Sequence, residues 1–214
     1  MTPLKLLRVV CEHLDSADGN FAIAGGLAAS YYRKQPRLTN DVDIALFVEN
    51  QERSKEVAVT ILERLAYFPA MGCIEGLEEI SGTTLALVIG RSEKEELEST
   101  IDFLLPSLPW VEKAVRRGQA NRIDFGFATL PSMTPEDVII AKTFALALEP
   151  TRFKDMDDIQ SIFQADNQLD LVYLVNEFER LGIALPDPLL EFAPKAMTRV
   201  SKKLEKALNI KDNG

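Results

Sequence analysis

The chain changes character at Pro131. Before it, short β-rich runs alternate with segments of helical spacing; after it, only helical patterns remain. A sequence of this kind folds as a small layered α/β unit followed by a helical one. The boundary carries its own signal, Thr134-Pro135-Glu136-Asp137. Thr134 can cap a helix, Pro135 suits the first helical position, and the two acids complement the helix N-terminus. Helices are predicted at about 136–148, 155–165, 168–181 and 188–208. We therefore expect an α+β protein with two domains, 1–131 and 132–214: a mixed β-sheet flanked by helices, then a C-terminal helical domain.

Within the first domain, Leu4, Leu7, Cys11 and Leu14 recur at helical spacing. Phe21 to Ala24 reads as a strand broken by Gly25-Gly26, and Leu27 to Arg33 as a helix. A basic connection leads to Asp41–Val48, a β-rich run, and Glu52–Leu65 is a charged amphipathic helix. Glu78–Ile80 and Thr83–Ile89 read as strands joined at Ser81-Gly82, and Glu93–Glu98 as an exposed acidic segment. Thr100–Leu105 is a strand stopped by Pro106, Trp110–Arg117 a helix and Arg122–Thr129 a strand.

Composition removes several functional classes. No run approaches the roughly 20 apolar residues of a membrane span, and charged residues interrupt the N-terminal apolar pattern that a signal peptide would need. A cytoplasmic protein is expected. Cys11, Cys73 and His13 cannot supply the four ligands of a structural zinc site. With His13 the one histidine, in a charged helical segment, nucleophile triads are disfavoured as well. The net charge of −9 argues against extensive nucleic-acid binding. Lys195–Gly214 is basic, with six cations against two acids, which suits a solvated helix end or an anionic partner.

Three features converge on one chemistry. Gly25-Gly26 at a strand-to-helix turn lets backbone approach a phosphate, and the helix N-terminus offers it unpaired N–H groups. Asp41-Val42-Asp43 opens a strand, where residues two apart share a face with Cα atoms roughly 6.5–7 Å apart. Two carboxylates so placed repel unless a cation lies between them, and Mg²⁺ takes such oxygen ligands together with substrate phosphates. Asp102 stands alone among Ile101, Phe103, Leu104 and Leu105, and is costly to bury unpaired. If its strand lies beside that of Asp41 and Asp43, three carboxylates meet. Asp124 in Arg122-Ile123-Asp124-Phe125 is the rival for the third position; Asp102 is preferred for its more apolar surroundings.

The order of glycine pair, helix and Asp-x-Asp strand resembles the nucleotidyltransferase superfamily typified by DNA polymerase β. Leu27 to Asn40 is slightly longer than that family's usual spacing, and Gly26 stands where many members have Ser. A narrower resemblance runs through Arg37-Leu38-Thr39-Asn40-Asp41-Val42-Asp43, Leu105-Pro106-Ser107-Leu108-Pro109-Trp110, Pro135-Glu136-Asp137 with Lys142, and Arg152-Phe153-Lys154-Asp155 with Asp158. It is similar to small bacterial nucleotidyltransferases of the abortive-infection toxin type. The resemblance implies a nucleotidyltransferase-like sheet and transfer of a nucleoside monophosphate from an NTP to a hydroxyl. It implies metal (Mg²⁺ or Mn²⁺) on Asp41, Asp43 and Asp102, which also form the catalytic set. It places nucleotide contacts at Gly25, Gly26, Arg37, Thr39, Lys142 and Lys154. The acceptor would be a small molecule, a tRNA end or a protein, and an antitoxin would be a partner.

From the residues alone, Arg37 is a phosphate clamp or a solvated loop cation, and Lys142 is functional or snorkelling among Ile139, Ile140 and Phe144. Asp155 and Asp158 are helical neighbours better suited to orienting Arg152 or capping than to metal. A sugar-nucleotide glycosyltransferase would also use Asp-x-Asp, but leaves the glycine turn without a role. The remaining alternative is a non-catalytic binding module of the same fold.

Overall fold

A computed structural model describes residues 2–14, 20–73, 85–91 and 100–211. The expected strand at Glu78–Ile80, its Ser81-Gly82 turn and the acidic segment Glu93–Glu98 lie outside them. The chain divides into two compact units: Met1–Ala28 with Arg37–Thr134, and Ala29–Pro36 with Pro135–Gly214.

The first unit is built on a five-stranded mixed sheet, flanked by helices, in the order β1-β2-β5-β4-β3. The strands are β1 (Phe21–Ile23), β2 (Val42–Leu46), β3 (Phe68–Cys73), β4 (Leu85–Arg91) and β5 (Ile101–Leu104). Only β2 and β5 run parallel; the other neighbours are antiparallel. A parallel pair cannot be closed by a tight turn, and here the connection includes α3 (Gln51–Arg64) and the β3–β4 pair.

The alternation along β2 and β5 decides what each face can do. Val42, Ile44, Leu46, Ile101 and Phe103 enter one apolar core with Leu6, Leu7 and Val10 of α1 (Pro3–Cys11) and Val57, Ile61 and Leu62 of α3. Asp43 and Asp102 alternate with these residues and therefore face the other way. On that second face α4 (Val111–Gly118) packs on β1 and β2. It fits there because Ala22 and Ala45, cross-strand partners, are small; a β-carbon on Gly118 would lie 2.7 Å from that of Ala22.

Two expectations need correction, and one strand was not expected at all. β3 has no signal in the sequence because Pro69 and Gly72 interrupt it; it forms because it is an edge strand, where a missing N–H is tolerated. Arg122–Thr129 is not one strand but a separate hairpin, β6 (Arg122–Asp124) and β7 (Thr129–Pro131). Gly126 turns it at φ +83°, its N–H donating to Asp124 Oδ1 at 2.8 Å. The helix expected at 188–208 begins only at Lys195, after a 3₁₀ turn at Asp187–Leu189, since Pro194 and its missing N–H part the two.

The second unit contains α5 (Pro135–Leu148), α6 (Phe153–Gln164), α7 (Leu171–Leu181) and α8 (Lys195–Lys211). The first-turn acids of α5 are buried, not solvated: Glu136 accepts the Asp170 N–H at 2.8 Å and Asp137 the Tyr173 hydroxyl at 2.7 Å. No helix among the described residues is long and apolar enough to cross a membrane.

Candidate active site

The parallel register aligns Val42 with Ile101 and Asp43 with Asp102. Two carboxylates thus stand side by side on adjacent strands, on the face turned away from the core, each half-buried. Asp41 comes immediately before β2. It is held by Thr100, which comes immediately before β5 and donates its hydroxyl to Asp41 Oδ1 at 3.1 Å. The backbone fastens the same corner, with the Val42 N–H donating to the Thr100 carbonyl at 2.9 Å.

The electrostatics follow from this crowding. Burial first, then the Asp43 charge, push the Asp102 carboxyl up from 3.8 to about 6. A Thr100 hydrogen bond opposes the shift, Asp41 adds to it and Arg91 opposes it. Asp102 Oδ1 is buried with no hydrogen-bond partner among the described residues. A buried, unsatisfied carboxylate oxygen beside a second carboxylate is costly unless a cation or proton meets it.

The glycine pair sits against this cluster. α2 (Gly25–Tyr32) begins at Gly25 itself, two residues earlier than the sequence suggests. Gly25 has φ +55°, a conformation natural to glycine, and a β-carbon on it would overlap the Asp43 carboxylate. The Ala24 N–H donates to the Asp43 carbonyl at 2.9 Å, so strand and helix start are tied together. A β-carbon on Gly26 would meet Thr39 and come within 3.4 Å of Arg37 Nη2. Gly25, Gly26, Arg37, Thr39, Asp41, Asp43 and Asp102 therefore all belong to the first unit.

The other sequence candidates lie elsewhere. Asp124 is exposed on the β6–β7 hairpin, which belongs to a different sheet, and its carboxylate caps the turn. Lys142 and Lys154 belong to the second unit. Lys142 neither snorkels nor projects into solvent: its buried ammonium bridges Asp155 at 2.6 Å and Asp158 at 2.8 Å. Asp155 also pairs with Arg152 and so orients it, while Asp158 pairs with Arg33 instead. Lys154 is exposed on α6. Thr100 and Arg91 are contributors that sequence reasoning missed. Thr100 had a signal, since it precedes its strand as Asp41 precedes its own; Arg91 had none.

The donor set of Asp41, Asp43 and Asp102 is all hard oxygen, the chemistry Mg²⁺ prefers, and the orphaned Asp102 Oδ1 fits a cation. Among the described residues no group of three His, Cys, Asp or Glu side chains is arranged to enclose an ion. Mg²⁺ does not require one, because it commonly binds through one or two carboxylates with water and substrate phosphate completing the shell.

Comparison with known proteins then fixes the lineage. The model of the nucleotidyl transferase AbiEii toxin family, of type IV toxin–antitoxin systems, matches residues 9–207. The chain belongs to this family. Two solved structures are similar. The antibiotic-resistance factor ANT(2'')-Ia, solved in solution, is 11% identical with a TM-score of 0.52, over 98% of this chain and 95% of that one. An antigenic nucleotidyltransferase-like protein from Paracoccidioides brasiliensis is 17% identical with a TM-score of 0.47, over 84% and 87%. At these identities the AbiEii-family chain shares a fold with ANT(2'')-Ia and nothing finer is carried over. A search of curated proteins gives no match.

Proposed function

We propose that this AbiEii-family protein transfers a nucleoside monophosphate from an NTP to a hydroxyl acceptor, with Asp41, Asp43 and Asp102 as its catalytic carboxylates. The observation that carries the reading is the in-register pairing of Asp43 with Asp102, with Gly25 stripped of a side chain so that the Asp43 carboxylate lies against the start of α2. Asp41 and Asp43 would hold Mg²⁺, and Asp102 would share it or a second ion. The metal supplies charge neutralisation at the phosphates and at the departing pyrophosphate.

The rest is the work of the chain itself. The first turn of α2 would direct N–H groups and a partial positive charge at the triphosphate, and Arg37 would pair with its oxygens. As the acceptor hydroxyl attacks the α-phosphorus, its O–P bond forms, the bond to pyrophosphate breaks, and the hydroxyl proton passes to Asp102. Burial and the neighbouring Asp43 charge, which raise this carboxyl in the metal-free protein, make it a better proton acceptor than a solvated carboxylate. The acceptor would be a small molecule, a tRNA 3′ end or a protein side chain. As the toxin of a pair, the protein would be countered by an antitoxin protein.

Calorimetric titration of each NTP, with and without Mg²⁺, tests this. Wild type should bind an NTP in a Mg²⁺-dependent way and Asp41→Asn/Asp43→Asn should not. Equal affinity in both proteins would remove the site.

A further inference from the structure

Asp43, Asp102 and Ile89 form one row across three neighbouring strands, β2, β5 and β4. Cross-strand partners share a face, so the whole row lies on the face turned away from the apolar core. Arg91 ends β4 two residues after Ile89 and so projects on that face as well. Burial along the strand agrees: Val88 and Gly90 are buried, Leu87 and Ile89 half-buried, and Arg91 is exposed. A β-carbon on Gly90 would meet Leu62 of the core, which marks the side of Gly90 as the inner one. Arg91 therefore stands one strand spacing, about 5 Å, from β5 and about 10 Å from β2. Its charge is felt at Asp102, where it favours the ionised carboxylate.

The carboxylates are thus flanked by cations on two sides. On the β1 side the first turn of α2 and Arg37 come together at Gly26. On the β4 side stands Arg91. The nucleotidyl-transfer reading above uses the first side for the triphosphate and gives the acceptor's proton to Asp102, so the acceptor approaches from the second. We infer that Arg91 is a specificity-determining residue for the acceptor, selecting one that carries an oxyanion, phosphate or carboxylate, close to its reactive hydroxyl. The inference rests on that reading and adds to it the charge of the second substrate. The fork of N–H donors on a guanidinium matches such an oxyanion bidentately. An acceptor with an ammonium group at that position would be repelled, and a neutral one would gain nothing. Arg91 also offsets the negative charge that the acceptor brings beside three carboxylates, which would otherwise oppose its approach.

The test uses the whole chain, NTP labelled at the α-phosphate and Mg²⁺, with dilutions of a cell extract as the source of acceptor. The rate of labelling against extract concentration gives an apparent acceptor KM for wild type, Arg91→Lys, Arg91→Gln and Arg91→Glu. Calorimetry gives their Mg²⁺–NTP affinity, and thermal melts check folding. Arg91→Gln should raise the acceptor KM about tenfold or more, the range for a hydrogen bond to a charged group. Arg91→Glu should raise it further and Arg91→Lys less, with NTP affinity equal to wild type in all three. Acceptor activity in the extract should be retained on an anion-exchange resin. Its loss on treatment with phosphatase and phosphodiesterase marks phosphate and its survival carboxylate, and either carries the proposed charge. An unchanged acceptor KM in Arg91→Gln overturns the inference, as does acceptor activity in the unretained, neutral or cationic material. So does weakened NTP binding, which would put Arg91 at the triphosphate, or a lower maximal rate at unchanged KM, which would make it a positioning residue for Asp102. Should wild type label nothing, the parent reading fails instead, and that control tells the two failures apart.

Discussion

Asp102→Asn should stabilise the metal-free protein by a gain that grows from about pH 4 and is complete above about pH 6. Burial and the Asp43 charge raise the Asp102 pKa from 3.8 to about 6, a shift of roughly two units. At about 1.36 kcal/mol per unit this is about 3 kcal/mol of strain in the ionised form. Asp102 is half-buried, so solvent screening cuts the usable figure to about 1–2 kcal/mol. The sign follows from linkage. A carboxyl whose native pKa exceeds its unfolded one holds its proton longer when folded, so its charge costs nothing below about pH 4. Stability then falls as pH rises through about 6. Asparagine is nearly isosteric and never ionises, so the gain should be absent at pH 4 and complete at pH 8. For a chain of this size it amounts to about 2–8 °C in melting temperature. Thermal unfolding in EDTA across pH 4–8 measures it. A gain equal at both ends would mean the effect is packing, not charge; a loss at pH 8 would mean Asp43 and Asp102 do not repel, and the argument for a cation between them would go. The same variant should lose about 10²–10⁴ in transfer rate, the usual loss for a general base.

Asp124→Asn, on the other sheet, should leave transfer unchanged in the same assay, and a collapse there would reverse the assignment of the third carboxylate. Gly25→Ala should cost about 1 kcal/mol or more in denaturant unfolding from the positive φ and should abolish NTP binding by displacing the Asp43 carboxylate. Lys142→Met should destabilise by about 1.5–3 kcal/mol in urea titration, since Asp155 and Asp158 lose their shared ammonium but keep Arg152 and Arg33. An unchanged urea midpoint would show that Lys142 is not the structural tie its geometry describes.

The candidate site was legible in the sequence to an unequal degree. Asp41-Val42-Asp43 could be read because strand alternation fixes which residues share a face. Asp102 could be proposed because a lone acid in an apolar run needs a reason. What sequence could not give is the strand order: nothing local says that β5 lies parallel to β2, and only that pairing sets Asp43 beside Asp102 and Thr100 beside Asp41. The glycine pair was legible as a turn, but its use was not, since the groups that need the space are Asp43 and Thr39, far along the chain. Lys142 illustrates the same limit in the helical unit, where a cation among apolar neighbours gave no hint of the two acids it holds from the next helix. β3 and the break at Pro194 escaped because edge position and a single imino acid overrode the local pattern.

The most direct measurement is transfer of label from NTP. Incubated with cell extract and Mg²⁺, the wild-type protein should mark an acceptor when the NTP is labelled at the α-phosphate and leave it unmarked when labelled at the γ-phosphate. Label should vanish in Asp41→Asn/Asp43→Asn. Transfer of γ-label, or α-label undiminished in that variant, would contradict nucleotidyl transfer at these carboxylates.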